Sequence, residues 1–209
     1  MTDGIRLRPI VDADLPLLTR MYTNPVDASE FGFFGFRNPD HMRKAFETGF
    51  ISEHGGKLAV VRDFEPGEAE QAADHGTSAA ATGTVTMAGS GGGIRTATGD
   101  VVVGDVGWHR VTTGPSSATW NIGIGLMAKE RGKGFGTRAQ RLLVEYLFSY
   151  TQFHRIEAGT ETTNLAEQRS LEKVGFTREG IIRGACFRAG RWRDMVSYSI
   201  LRTDVEPAG

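Results

Sequence analysis

The stretch Arg131-Gly132-Lys133-Gly134-Phe135-Gly136-Thr137 decides the reading of this 209-residue chain. It lies between a strand-like segment, Trp120 to Met127, and an amphipathic segment from about Arg138 to Tyr150. Glycine at three alternate positions strips one side of the turn of bulk, so backbone N–H groups can approach a ligand closely. The turn opens a helix whose first N–H groups lack intrahelical partners and carry partial positive charge. Arg131 and Lys133 add two formal charges. Together these make an anion cradle of the kind that holds phosphates.

Spacing separates this cradle from two commoner nucleotide motifs. A dinucleotide fingerprint G-x-G-x-x-G starting at Gly132 needs glycine at 137, where the chain has Thr137. The P-loop pattern needs Gly-Lys followed by Ser or Thr, and no Gly-Lys pair here is so followed. Arg-x-x-Gly-x-Gly does fit, as Arg131, Gly134 and Gly136. It resembles the pyrophosphate-binding motif of the GNAT superfamily of acetyl-CoA-dependent N-acyltransferases. The competing reading is a surface strand-to-helix turn that merely uses glycine. The flanking text weighs against it: TWNIGIGLMAKERGKGFGTRAQRLLVEYLF, then HRIEAGTETTNLAEQRSLEKVGF, then an arginine-rich tail ending DMVSYSIL. This resembles the RimJ/RimL-type branch closely over roughly the last 85 residues and more loosely over residues 5 to 61. The implied architecture is an α/β (α+β) GNAT fold: one mixed, mostly antiparallel twisted sheet of about 6–7 strands with helices on both faces.

Local patterns support that architecture independently. Ile5 to Ile10 alternates apolar and basic residues and reads as a first strand. Asp12 is placed to cap a helix carrying Leu15, Leu18 and Tyr22 on one face, stopped by Asn24-Pro25. Asn38-Pro39 starts a second helix with Met42, Phe46 and Phe50 inward. Lys57 to Val61, Val101 to Val111 and Trp120 to Met127 read as strands, the last two joined by a turn at Thr112 to Pro115. After the glycine run, Ala139, Leu142, Leu143, Tyr146, Leu147 and Tyr150 form one apolar stripe. His154 to Ala158 is a fifth strand, and Leu165 to Val174 a helix closed by Gly175. Ala189-Gly190 joins a final hairpin, Phe176 to Arg188 and Trp192 to Leu201.

Length and composition bound the rest. A chain of this size is most simply a single domain, 1–209, with a core of its own. Residues 63 to 100 are dense in Gly, Ala, Ser, Thr and acids and read as an exposed, mobile insertion, with a short hairpin segment at Thr84 to Met87. No apolar run approaches a membrane span, and the MTDGIRLRPI start has no signal-peptide pattern. One cysteine, Cys186, suits a reducing compartment, so a cytoplasmic protein, monomer or homodimer, is expected. Residues 129 to 202 carry 14 Lys/Arg against 8 Asp/Glu, and the remainder 10 against 17. The basic half holds the glycine run, which suits a polyanionic cofactor. Interspersed acids and a pI near 6.5 argue against nucleic acid. No metal is expected.

Acetyl transfer to an amine needs the donor held, its carbonyl polarised, the amine made neutral and the leaving thiolate protonated. The resemblance implies acetyl-CoA as co-substrate, with the backbone of Leu126, Met127 and Ala128 against the pantetheine arm where the fourth and fifth strands splay apart. It implies that Arg131, Gly132, Lys133, Gly134, Phe135, Gly136 and Thr137 take the pyrophosphate, with the Thr137 hydroxyl as a further donor. Asn164 matches the family asparagine near the thiol. As N-cap with Glu167 at N3 it also makes a variant capping box, and both readings stay open. The branch often has a hydroxyl three residues after this asparagine; here Glu167 stands there, as an acid or base candidate or simply a cap. His109, on one sheet face with Asp105, is a further base candidate or a solvated histidine. Cys186 reads as a small strand residue. The aromatic loop with Phe31, Phe33 and Phe34 is a candidate acceptor-pocket wall or core packing. The expected partner is an amine acceptor, a protein amino terminus or a small molecule. The alternatives are a CoA-binding sensor with little catalysis, or a transferase for a larger acyl-CoA.

Overall fold

The computed structural model describes residues 4–28, 30–63 and 100–205. The insertion expected at 63–100, with its Thr84–Met87 segment, falls almost wholly outside these residues. Seven strands form one sheet: β1 (Ile5–Pro9), β2 (Gly55–Asp63), β3 (Asp100–Gly114), β4 (Ser117–Leu126), β5 (Arg155–Glu161), β6 (Thr177–Arg188) and β7 (Arg191–Leu201). Their order is β1-β2-β3-β4-β5-β7-β6. Every neighbouring pair is antiparallel except β4 with β5. The helices are α1 (Leu15–Thr23), α2 (His41–Glu47), α3 (Phe135–Tyr150), α4 (Leu165–Val174) and the short α5 (Arg202–Val205).

Strand alternation sends successive side chains to opposite faces, and each face has its own core. On one side Leu58, Val60, Val101 and Val103 pack with Leu143, Leu147 and Leu171 of α3 and α4. On the other, Ala59, Val61 and Val102 pack with Leu15, Leu18, Met21 and Met42 of α1 and α2. The expected mixed sheet, covered on both faces, is therefore present.

Several local expectations are revised. Asp12 does not cap α1. Asp12–Asp14 forms a short 3-10 turn, and the carboxylate of buried Asp14 accepts from the Val11 N–H at 2.9 Å and from both terminal nitrogens of Arg8. The α2 helix begins at His41, because Asn38 Oδ1 holds a turn by accepting from the Asp40 N–H. Phe50 lies beyond that helix yet still packs on its core. The buried face of α3 is Ala139, Gln140, Leu143, Val144, Leu147 and Phe148, whereas Tyr150 is 77% exposed. Leu142 and Tyr146 of the stripe are partly buried against the same core, and the Tyr150 ring contacts that of Tyr146, with centroids 5.2 Å apart.

Candidate active site

The β4–β5 pairing is short. Three residue pairs match, ending at Ile122 with Ala158, while β4 continues to Leu126 and β5 to Glu161. Past that point β4 keeps only its β3 partner, through Leu126 with Gly104. Met127 donates its N–H to the Val103 carbonyl at 2.9 Å, which fixes the alternation. The backbone groups of Ile124 and Leu126 therefore face the splayed side. A cleft of about 840 Å³ fills the opening, lined by both strands, by the glycine run and by the start of α4.

The glycine run forms the mouth of that cleft. Gly132 and Gly134 sit at φ +76 and +82, a left-handed conformation that glycine adopts without strain. Gly134 is also the N-cap of α3, so the first N–H groups of that helix open into the turn with no side-chain cap. Arg131, Gly132, Gly134, Gly136 and Thr137 line the cleft. Lys133 turns aside, its Nζ 2.9 Å from Oε2 of buried Glu130 and near the Phe135 ring. Arg131 is committed too. Its Nε and Nη2 donate to the Leu126 carbonyl at 2.9 and 2.7 Å, and Nη2 also donates to the Asp27 carbonyl at 3.2 Å. Burial holds its guanidinium pKa below the ordinary value. The cradle's polarity thus comes mainly from backbone, and Arg131 acts as a clamp that ties the end of β4 to the 24–28 turn. Met127 and Ala128 do not line the cleft; Met127 packs on the α1 side.

The Thr137 hydroxyl is turned inward as well. It lies 2.9 Å from Ser170 Oγ, and Ser170 Oγ donates to Gln140 Oε1 at 2.8 Å. With the Ser170 proton on Gln140, Thr137 must be the donor to Ser170. It does not serve as an outward donor in this arrangement. The chain continues: Gln140 Nε2 donates to Glu167 Oε1, the Glu167 N–H donates to Asn164 Oδ1 at 3.3 Å, and Asn164 Nδ2 donates to Thr160 Oγ1 at 2.9 Å. One hydrogen-bonded line thus joins the glycine-run end of the cleft to its β5 end.

Asn164 is the N-cap of α4, but only half of the expected capping box forms. The Glu167 carboxyl reaches Gln140 and leaves the Asn164 N–H to the Glu161 carbonyl at 2.9 Å. Asn164 still has one amide hydrogen unused by these bonds. Glu167 lines the cleft, and burial pushes its carboxyl above the usual carboxylate range against the pull of the Gln140 donor. Its half-buried carboxyl therefore binds a proton more readily than a free glutamate does. His109 is elsewhere: it is exposed and lines a different cavity beside α1 and α2.

Phe31 and Phe34 line the cleft, whereas Phe33 packs edge-on against Phe36 with ring centroids 5.6 Å apart. Arg188 holds this loop in place, a role with no local signal in sequence. Its guanidinium pairs with both carboxylate oxygens of buried Glu161, donates to the Glu30 carbonyl and stacks 5.3 Å from the Phe31 ring centre. That pairing holds Glu161 below the usual carboxylate range. A second missed group underlies β4. Lys57 Nζ and the Tyr22 hydroxyl both donate to Asp105, and Tyr22 also accepts from Lys57 at 2.8 Å. Asp105 is 1% exposed and its charge is fully engaged. Cys186 also faces the cleft and is half-buried.

A splayed parallel strand pair meets a glycine turn at a helix N-terminus, which leaves an elongated cleft with backbone N–H groups at its mouth. Comparison with known proteins gives the family. Residues 5–177 match the family model "Acetyltransferase (GNAT) domain", and the chain belongs to that family. It is 40% identical over 114 residues to a Bacillus subtilis (strain 168) protein named "Probable N-acetyltransferase YjcK", covering 54% of this chain and 62% of that one. The chain thus spans under two thirds of this relative's length. Among solved structures, spermidine N-acetyltransferase from Vibrio cholerae, in complex with CoA and spermine, superposes with TM-score 0.70 at 15% identity over 97% of this chain and 98% of that one. Mycobacterium smegmatis RimJ, in complex with CoA-disulfide, superposes with TM-score 0.65 at 18% identity over 98% and 85%. These structural likenesses share the fold. Among the described residues no helix is long and apolar enough to cross a membrane, and no cluster of His, Cys, Asp and Glu is arranged to hold a metal.

Proposed function

We propose that this chain transfers the acetyl group of acetyl-CoA to a primary amine by direct attack in a ternary complex. The observation that carries the reading is the continuity of the β4–β5 splay with the glycine turn in one cleft. Acetyl-CoA, when bound, supplies the acetyl group as a thioester. The N–H groups of Gly132 to Thr137 take its pyrophosphate, and the outward backbone of Ile124 and the Leu126 N–H take the pantetheine amides. Arg131 keeps the Leu126 carbonyl in place and so fixes the width of the splay.

At the far end, Asn164 offers its free amide hydrogen to the thiol region. Burial raises the Glu167 carboxyl above the usual carboxylate range, and Glu167 is the group assigned to protonate the leaving sulfur. The acceptor amine enters past Phe31 and Phe34. It loses its proton to solvent beside Glu30, which draws the ammonium form in, whereas the Asp27 carboxylate is paired with Arg20.

Thiol release from acetyl-CoA, measured against a panel of α-amino termini, polyamines and amino sugars, tests the reading. Turnover with at least one class is expected. Tight CoA binding with no turnover on any amine would instead support a CoA-binding sensor.

A further inference from the structure

A second cavity, of about 350 Å³, opens on the α1/α2 side of the sheet. Among the described residues Tyr22 is the one common to its lining and that of the cofactor cleft. The walls are largely apolar, from Met42, Ala45, Phe50 and Trp108. Among the described residues the ionisable and imidazole groups are Arg37, Lys57, His41, His54 and His109, and no Asp or Glu lines the cavity. Lys57 is neutralised by Asp105 beneath it, and His54 Nε2 lies 3.5 Å from Glu53. Arg37 has no ion-pair partner among the described residues. The cofactor cleft does include carboxylates, Asp27, Glu30, Glu161 and Glu167, of which Asp27 is paired with Arg20 and Glu161 with Arg188.

We propose that this cavity binds a small organic anion, a carboxylate carried on an apolar body of about amino-acid size. The volume lies at the lower end of the range for small-molecule sites, about 300–1,000 Å³. A guanidinium presents a planar fork that matches a carboxylate, and the imidazoles supply further N–H donors. An ammonium ligand finds no carboxylate among the described lining residues. The same chemistry has two sources: the acid end of the acceptor itself, or a separate carboxylate that is not acetylated. Tyr22 forms part of both walls, so either is felt in the cofactor cleft.

Calorimetric titration with 4-phenylbutyrate, 4-phenylbutyramide and 4-phenylbutylamine tests the binding without reference to catalysis. The carboxylate is expected to bind about tenfold tighter than the amide, with the amine weakest. Arg37→Gln, on an exposed loop, should erase the preference, and Ala45→Phe should fill the cavity and abolish binding. Gly134→Asp should bind 4-phenylbutyrate as the wild type does, which separates this site from the cofactor cleft. Equal affinity for carboxylate and amide, or no effect of Arg37→Gln and Ala45→Phe, would overturn the proposal. The source follows from kinetics: 4-phenylbutyrate that raises the acceptor KM marks the acceptor's own acid end, and a change in kcat alone marks a separate ligand.

Discussion

Replacing Gly134 by alanine isolates the backbone geometry on which the cradle depends. Gly134 sits at φ +82, and a Cβ built there meets no atom within 4 Å. Steric clash therefore adds nothing, and the cost is that of a left-handed L-residue, about 1–2 kcal/mol. Restricting the unfolded chain returns part of this, about 0.4–1 kcal/mol. The net loss is then about 1 kcal/mol, which for a chain of this length lowers Tm by about 2–4 °C. Asparagine enters the left-handed region more readily, so Gly134→Asn should lose about half as much. Urea unfolding of the two variants beside the wild type measures both. An alanine variant as stable as the wild type, with asparagine no better, would show that the turn does not require a left-handed residue at 134. The reasoning about its N–H array would then fail.

Three further outcomes are expected. Glu167→Gln removes a carboxyl whose pKa burial raises, so the ionised wild type is penalised as pH climbs from the ordinary carboxylate value toward the raised one. The variant's Tm advantage, read by scanning calorimetry, should be absent near about pH 3 and present at neutral pH, while kcat falls with little change in KM. Arg188→Gln strands Glu161, 5% exposed, without its partner. About 3–5 kcal/mol should be lost at neutral pH. Because the pair holds Glu161 below its unfolded pKa, that deficit should shrink as acid protonates the carboxylate, and a deficit constant with pH would contradict the pairing. Arg131→Lys loses the fork on the Leu126 carbonyl, about 1 kcal/mol for an exposed clamp, and should raise KM for acetyl-CoA more than it lowers kcat.

What sequence reveals here is what local chemistry encodes. The glycine run, the stripe of α3, the Asn164 cap and the Gly175 stop each lie within a few residues, and α4 falls on the expected Leu165–Val174. The sheet follows from period-2 patterns and turn residues, even where the strands prove longer than expected. Side-chain destinations across the fold are a different matter. Tyr22, Lys57 and Asp105 meet over separations of 35 to 83 residues, and Arg188 reaches Glu30 across 158. No spacing rule brings such groups together. The same cause explains the misplaced charges: Arg131 and Lys133 look free in sequence, but the Leu126 carbonyl and Glu130 are waiting for them in the fold. His109 does share a face with Asp105, yet that face belongs to the second cavity.

The glycine turn is the seat proposed for CoA. Calorimetric titration of CoA into the wild type and into Gly134→Asp tests it most directly, with Gly134→Asn as the control for backbone strain. The wild type and Gly134→Asn are expected to bind CoA, and Gly134→Asp, which sets a carboxylate against the pyrophosphate, to show no measurable binding while remaining folded. A Gly134→Asp protein that binds CoA with the wild-type affinity would contradict the account.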